Sequence, residues 1–188
     1  MADKVERWAG KYLRLVTDGS WEFVERVGGM SAVVIVAMHE GKYILVEQVR
    51  VPLGNRRCIE LPAGLVGDED DLGIEATARK ELEEETGFIT DRVERLGEFF
   101  SSPGMVAEGY SLVRAHGVRP GGTKIEEEID VHLVAPDEMA SFIAAKRAEG
   151  LAIDTKLLLL LAGDLLGGSP ARPCRPQRAS RRAAAHAA

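Results

Sequence analysis

The sequence predicts an α+β fold, an α/β/α sandwich with helices packed on both sides of a mixed β-sheet. Three observations carry this. Apolar, β-rich runs outnumber helical ones. One of them, Ser31 to Met38, is apolar throughout, as a buried strand is. The helical stretches fall in the middle of the chain and near its end. The chain has 188 residues, 45% of them hydrophobic, enough for one domain with a real core.

Lys11 to Val16 and Trp21 to Val27 read as an N-terminal antiparallel strand pair joined by the turn-rich Thr17-Asp18-Gly19-Ser20. Gly28-Gly29 then breaks the chain. The buried strand Ser31 to Met38 turns at Glu40-Gly41 into Lys42 to Arg50, and the two are expected to pair as a hairpin. Cys58 to Leu61 is a short strand stopped by Pro62, and Ala63 to Gly67 is read as a loop. The acidic run Asp68 to Asp71 suits the positive end of a following helix.

That helix, Glu75 to Phe88, has good helix propensity and closes at Thr86-Gly87. Glu81 stands i,i+3 from Glu84 and i,i+4 from Glu85, so three carboxylates share one patch. Like charges there cost a helix stability, which asks for a reason beyond helicity. Later strands are expected at Val93 to Phe100, Tyr110 to Ala115 and Ile129 to Val134. Helices follow at Pro136 to Gly150 and, capped by Asp154, at Thr155 to Leu166. Residues 1–30 form an expected arm, 31–168 the main domain, and 169–188 a disordered basic tail.

Charge narrows the function. The formal net charge is −6, but the tail holds five arginines and no acid, so residues 1–168 stand at −11. An acidic body argues against nucleic-acid binding, which needs Lys and Arg to neutralise phosphates. No apolar run nears the roughly 20 residues of a membrane span. The charged start lacks the apolar core of a secretory signal, and two cysteines give no disulfide framework, so the expected location is cytoplasmic. His39, His116, His132 and His186 show no ligand spacing and are read as structural or solvent-exposed.

Lys80-Glu81-Leu82-Glu83-Glu84-Glu85-Thr86-Gly87-Phe88 resembles the second half of the Nudix hydrolase signature, with Glu60-Leu61-Pro62-Ala63-Gly64 upstream resembling its approach. Two departures stand out. Lys80 replaces the usual Arg and lacks its bidentate fork. The signature's first Gly and Glu fall on Val66 and Leu72, a mismatch that two extra residues before the helix repair, with Asp70 or Asp71 near the displaced acid.

The resemblance implies a Nudix fold and a metal site of Glu81, Glu85, Glu84 and the Ala63 carbonyl, holding two or three Mg²⁺ ions with substrate, or Mn²⁺ in their place. Ser102-Pro103-Gly104 with Glu108 is similar to the ADP-ribose pyrophosphatase subgroup, Pro103 lying 16 residues after Gly87. A plain turn proline is the alternative for Pro103. Subgroup members carry a late acidic loop whose glutamate activates water. Glu127 is the favoured base here, with Glu126 and Glu128 open.

Gln48-Val49-Arg50 resembles a phosphate- or ribose-contacting strand end, although Arg50 can equally serve an ion pair with Glu60. Trp21 and Glu22, with Arg26 nearby, stand where family dimers meet the adenine, although Trp21 can equally be core packing.

The expected activity is Mg²⁺-dependent hydrolysis of a nucleoside diphosphate linked to another moiety, foremost ADP-ribose to AMP and ribose 5-phosphate, by a homodimer. Another nucleotide sugar or NADH is an alternative substrate. A non-catalytic ADP-ribose sensor is the alternative function.

Overall fold

The computed structural model describes residues 4–67 and 73–161. The chain begins with strands β1 (Val5–Ala9), β2 (Leu13–Asp18) and β3 (Trp21–Arg26). Next come β4 (Ser31–Val36), β5 (Met38–His39), β6 (Lys42–Arg50), β7 (Arg56–Glu60) and β8 (Ala63–Val66). Helix α1 (Ile74–Thr86) precedes β9 (Phe88–Ile89), β10 (Arg92–Phe100), β11 (Gly109–His116), β12 (Arg119–Pro120) and β13 (Asp130–Val134). Helix α2 (Met139–Ala148), β14 (Ala152–Ile153) and a short α3 (Leu158–Leu161) complete the described residues.

Two sheets build the body, ordered β10-β11-β4-β8 and β13-β6-β7-β14. Strand β11 runs parallel to β4 and β14 parallel to β7, while the other strand pairs are antiparallel. The sheets are therefore mixed, as the sequence led one to expect.

Strand β4 shows why its run is apolar throughout. Val33, Ile35 and Ala37 enter one core cluster with Ala78 and Leu82 of α1. Val34 and Val36 enter a second with Met139 of α2 and with Leu157 and Leu160. Each face is covered by helical residues, so neither tolerates a polar side chain. This is the α/β/α layering, and full burial of one such side chain contributes about 1.5–3 kcal/mol.

Several local readings need correction. The N-terminal strand pair is a three-stranded antiparallel sheet, because β1 adds to the edge of β2. The long hairpin does not form. Only Met38 and His39 pair with β6, while β4 lies between β11 and β8, since burying both of its faces places it at the centre of a sheet. Ala63–Val66 is a strand rather than a loop. The helix after Pro136 covers only Met139–Ala148, and the segment capped by Asp154 starts as a 3₁₀ turn over Thr155–Leu157. Asp70, Asp71, His186, the tail and the rest of the last predicted helix lie outside the described residues.

Candidate active site

The glutamate helix sits on the β8 edge of its sheet. Its last turn is closed by Gly87, whose left-handed backbone (φ 75°) lets its N–H donate to the Glu83 carbonyl at 2.8 Å. Leu82 and Ala78 face the core, which turns Glu81 and Glu85 towards β8. The Glu85 side chain is 3% exposed and accepts a hydrogen bond from the Ala63 N–H at 3.0 Å. The Glu81 carboxylate lies against Gly64, where a Cβ would stand 2.0 Å from its Cδ. Two acids thus meet adjacent residues of one strand.

Burial pushes the Glu85 carboxyl up to about 8. The Ala63 N–H and the charge of Arg50 oppose that rise, while the charges of Glu126 and Glu81 add to it. An uncompensated carboxylate at such a place is costly, and a hard cation with oxygen ligands removes the cost. Among the described residues, no three His, Cys, Asp or Glu side chains converge into a complete metal cage. The donor set still fits Mg²⁺, which takes one or two carboxylates and fills its remaining positions with waters and substrate phosphate. Glu84 is half-buried. Its carboxylate lies 4.0 Å from Lys80, a spacing worth little at such exposure.

The acidic loop is fastened to the end of α1. The N–H groups of Gly121 and Gly122 donate to the Gly87 carbonyl, and those of Ile125 and Glu126 to the Glu84 carbonyl at 2.9 and 3.2 Å. The charge of Glu126, in this loop, adds to the upward shift of Glu85. All three loop glutamates, Glu126, Glu127 and Glu128, are exposed.

Ala63 and Gly64 also line a cavity of about 620 Å³, to which Arg26, Arg50, Glu60 and Glu108 contribute. Arg50 meets the buried Glu60 through two bonds of 2.7 and 2.5 Å, so it is both an ion pair and a cavity residue. This bidentate pairing strengthens the charged form of Arg50. Arg26 Nε donates to Glu108 Oε1 at 2.5 Å, bridging β3 to the segment after Pro103.

That segment runs beside β3. The Val24 N–H donates to the Met105 carbonyl and the Ala107 N–H to the Val24 carbonyl. Trp21, 61% exposed, therefore shares a second groove with Pro103 and Gly104, and is not core packing. Glu22 is exposed on β3 and lines neither cavity.

Sequence reasoning missed part of the first cavity. Cys58, Tyr110, Asp154 and Lys156 line it too. No local pattern marks them, because the parallel pairing of β14 with β7 brings the last two there. The position of Asp154 as a cap was the one available signal. The other imidazoles have plain partners. His39 meets the Val118 carbonyl, His116 meets Glu94, and His132 meets Glu47.

Residues 29–153 match the NUDIX domain family model. The chain is 34% identical over 130 residues to a methanol dehydrogenase activator of Bacillus methanolicus, covering 67% of this chain and 68% of that one. It is 32% identical over 146 residues to a GDP-mannose pyrophosphatase of Yersinia pestis, covering 71% and 69%. An ADP-ribose pyrophosphatase of Bacillus subtilis is 39% identical over 89 residues, under half of either chain at 46% and 44%. A crystal structure of an ADP compounds hydrolase superposes with a TM-score of 0.65 at 16% identity, covering 88% of this chain and 92% of the other, which speaks to fold alone. With its glutamate helix set against Ala63 and Gly64 and the family model spanning two thirds of its length, the chain belongs to the Nudix family and is a Nudix hydrolase.

Proposed function

We propose that the protein is a Mg²⁺-dependent pyrophosphatase that cleaves the diphosphate of a nucleoside diphosphate derivative, foremost ADP-ribose to AMP and ribose 5-phosphate. One observation carries this reading. The cavity holding Arg26 and Arg50 has its edge at Ala63-Gly64, where Glu81 and Glu85 meet.

Glu81 and Glu85, with Glu84 and the Ala63 carbonyl, are assigned as metal ligands. When bound, the metal neutralises the diphosphate and lowers the pKa of the attacking water. Arg50 spends two of its five N–H donors on Glu60 and keeps the others for phosphate oxygens. Arg26 and Glu108 hold the neighbouring wall. Trp21 offers a flat ring to a base beside Pro103 and Gly104, and Glu22 follows it on β3.

The base assignment moves to Glu126, because its charge acts on Glu85 and its backbone is bonded to Glu84. The resemblance had favoured Glu127, with Glu126 and Glu128 open. The exposed apolar residues of the arm, among them Trp8 and Tyr12, suit a homodimer.

The test is product analysis over a panel of nucleoside diphosphate derivatives with Mg²⁺, with and without chelator. AMP and ribose 5-phosphate from ADP-ribose, abolished by chelator and by Glu85→Gln, is the expected result. The similarity to a GDP-mannose pyrophosphatase across 71% of the chain favours another nucleotide sugar as the second reading. Binding of ADP-ribose without turnover of any panel member would favour a sensor instead.

A further inference from the structure

Three cations line the first cavity, and each is paired with a carboxylate of the same wall: Arg50 with Glu60, Arg26 with Glu108, and Lys156 with Asp154. The first two pairs belong to the site as already assigned. The third does not. It comes from the end of the described chain and is placed by long-range register. Strand β14 lies parallel to β7, with Ala152 opposite Cys58 and Ile153 opposite Ile59. The Asp154 N–H then donates to the Ile59 carbonyl at 3.0 Å, which sets its side chain beside the end of β7 that carries Glu60.

Asp154 accepts twice from one residue. Its Oδ1 takes the Lys156 backbone N–H at 2.7 Å and its Oδ2 the Lys156 Nζ at 2.5 Å. The same Nζ lies 5.7 Å from the centroid of the Tyr110 ring. Burial, and then the charge of Asp154, push the Tyr110 hydroxyl above its ordinary value. A carboxylate, an ammonium and a phenol therefore share one largely shielded wall.

That combination puts a carboxylate acceptor and an ammonium donor side by side. It is well suited to adjacent hydroxyl groups. Each hydroxyl both donates and accepts, and this wall presents an acceptor beside a donor with a phenol next to them. A site whose shielded polar groups are built to bond hydroxyls rejects an analogue without them, because those groups are then left unpaired.

We propose that Asp154, Lys156 and Tyr110 form the specificity subsite for the polyhydroxylated, sugar-like group attached to the nucleoside diphosphate. This rests on the pyrophosphatase reading above and adds which part of the substrate is selected, and by what.

The test compares kcat/KM for ADP-ribose with that for the phenyl ester of ADP, which carries the same nucleotide but no hydroxyls beyond it. Lys156→Met removes the ammonium while leaving the backbone N–H that Asp154 caps. Tyr110→Phe removes a single hydroxyl and serves should the first variant melt early. The ratio of the two kcat/KM values is expected to fall about tenfold or more in Lys156→Met, the loss of one charge-assisted hydrogen bond, and less in Tyr110→Phe. An unchanged ratio in folded variants would overturn the subsite while leaving the pyrophosphatase reading intact. Turnover of neither ester by the unaltered protein would sink that reading, and the subsite with it.

Discussion

Glu81 and Gly64 fit only because one of them has no side chain. A Cβ at position 64 would stand 2.0 Å from Glu81 Cδ and 2.1 Å from Oε1, far inside van der Waals contact. Gly64 is thus what lets Glu81, the proposed metal ligand, lie against the strand that Glu85 also reaches. Gly64→Ala is expected to displace Glu81, weaken Mg²⁺ binding and cut turnover about 10²-fold, the usual result of misplacing a reacting group by an ångström. Mg²⁺ titration and kcat on a variant with an unchanged circular dichroism spectrum check this. Wild-type metal affinity would refute it.

Of the three loop glutamates, Glu126 donates its backbone N–H to the Glu84 carbonyl, at the end of α1 that carries Glu85. Glu126→Gln is expected to lower kcat by about 10²–10⁴-fold, the range for a lost general base. Glu127→Gln and Glu128→Gln should cost far less. Steady-state rates for the three variants decide the matter, and the largest loss at Glu127 would restore Glu127 as the base.

Arg50 holds a buried carboxylate as well as facing the cavity. Arg50→Lys keeps the charge but cannot reproduce two parallel bonds to Glu60. KM should rise and the melting temperature fall together. Arg50→Ala leaves Glu60 buried without its partner, at a cost of about 3–5 kcal/mol. Denaturant unfolding with matched kinetics would show both effects, and an unchanged midpoint would contradict the pairing.

A second charge cluster, away from the cavity, is expected to make stability depend on acid pH. Burial alone would raise the Glu47 carboxyl, yet hydrogen bonds from Arg57, Lys146 and His132 outweigh it and bring it down to about 2. Since this pKa lies below the ordinary glutamate value of 4.5, the stabilisation is complete above that value and is lost as pH falls towards 2. Lys146→Met should remove about 1–3 kcal/mol at neutral pH, the worth of a hydrogen bond to a charged group, and the deficit should shrink as Glu47 becomes protonated. Unfolding midpoints from pH 7 to 2.5 test the sign; a deficit growing on acidification would refute it.

The corrections share one cause. The glutamate spacing, the Gly87 stop and the apolar β4 run are local patterns, and each appears in the structure close to where the chain implied it. The long hairpin failed because β4 and β6 are both good strand formers, and local sequence does not say which partners they take. Strand β1 escaped notice because all five of its residues are exposed, leaving no period of buried positions to detect.

By itself, the sequence determined the chemistry available. It set three carboxylates at helical spacing, a glycine beside an alanine ahead of them, and an acidic loop behind. Covalent order and helix geometry carry that information, since i,i+3 and i,i+4 neighbours meet wherever the helix sits. Tertiary structure alone decided which of these groups share a site. Docking α1 on β8 buried Glu85 against the Ala63 N–H, bonding the loop to the Glu84 carbonyl brought Glu126 into range, and pairing β14 with β7 carried Asp154 and Lys156 to the cavity. These contacts join residues distant in the chain, and their free energy comes from burial and register, which no short stretch of sequence contains.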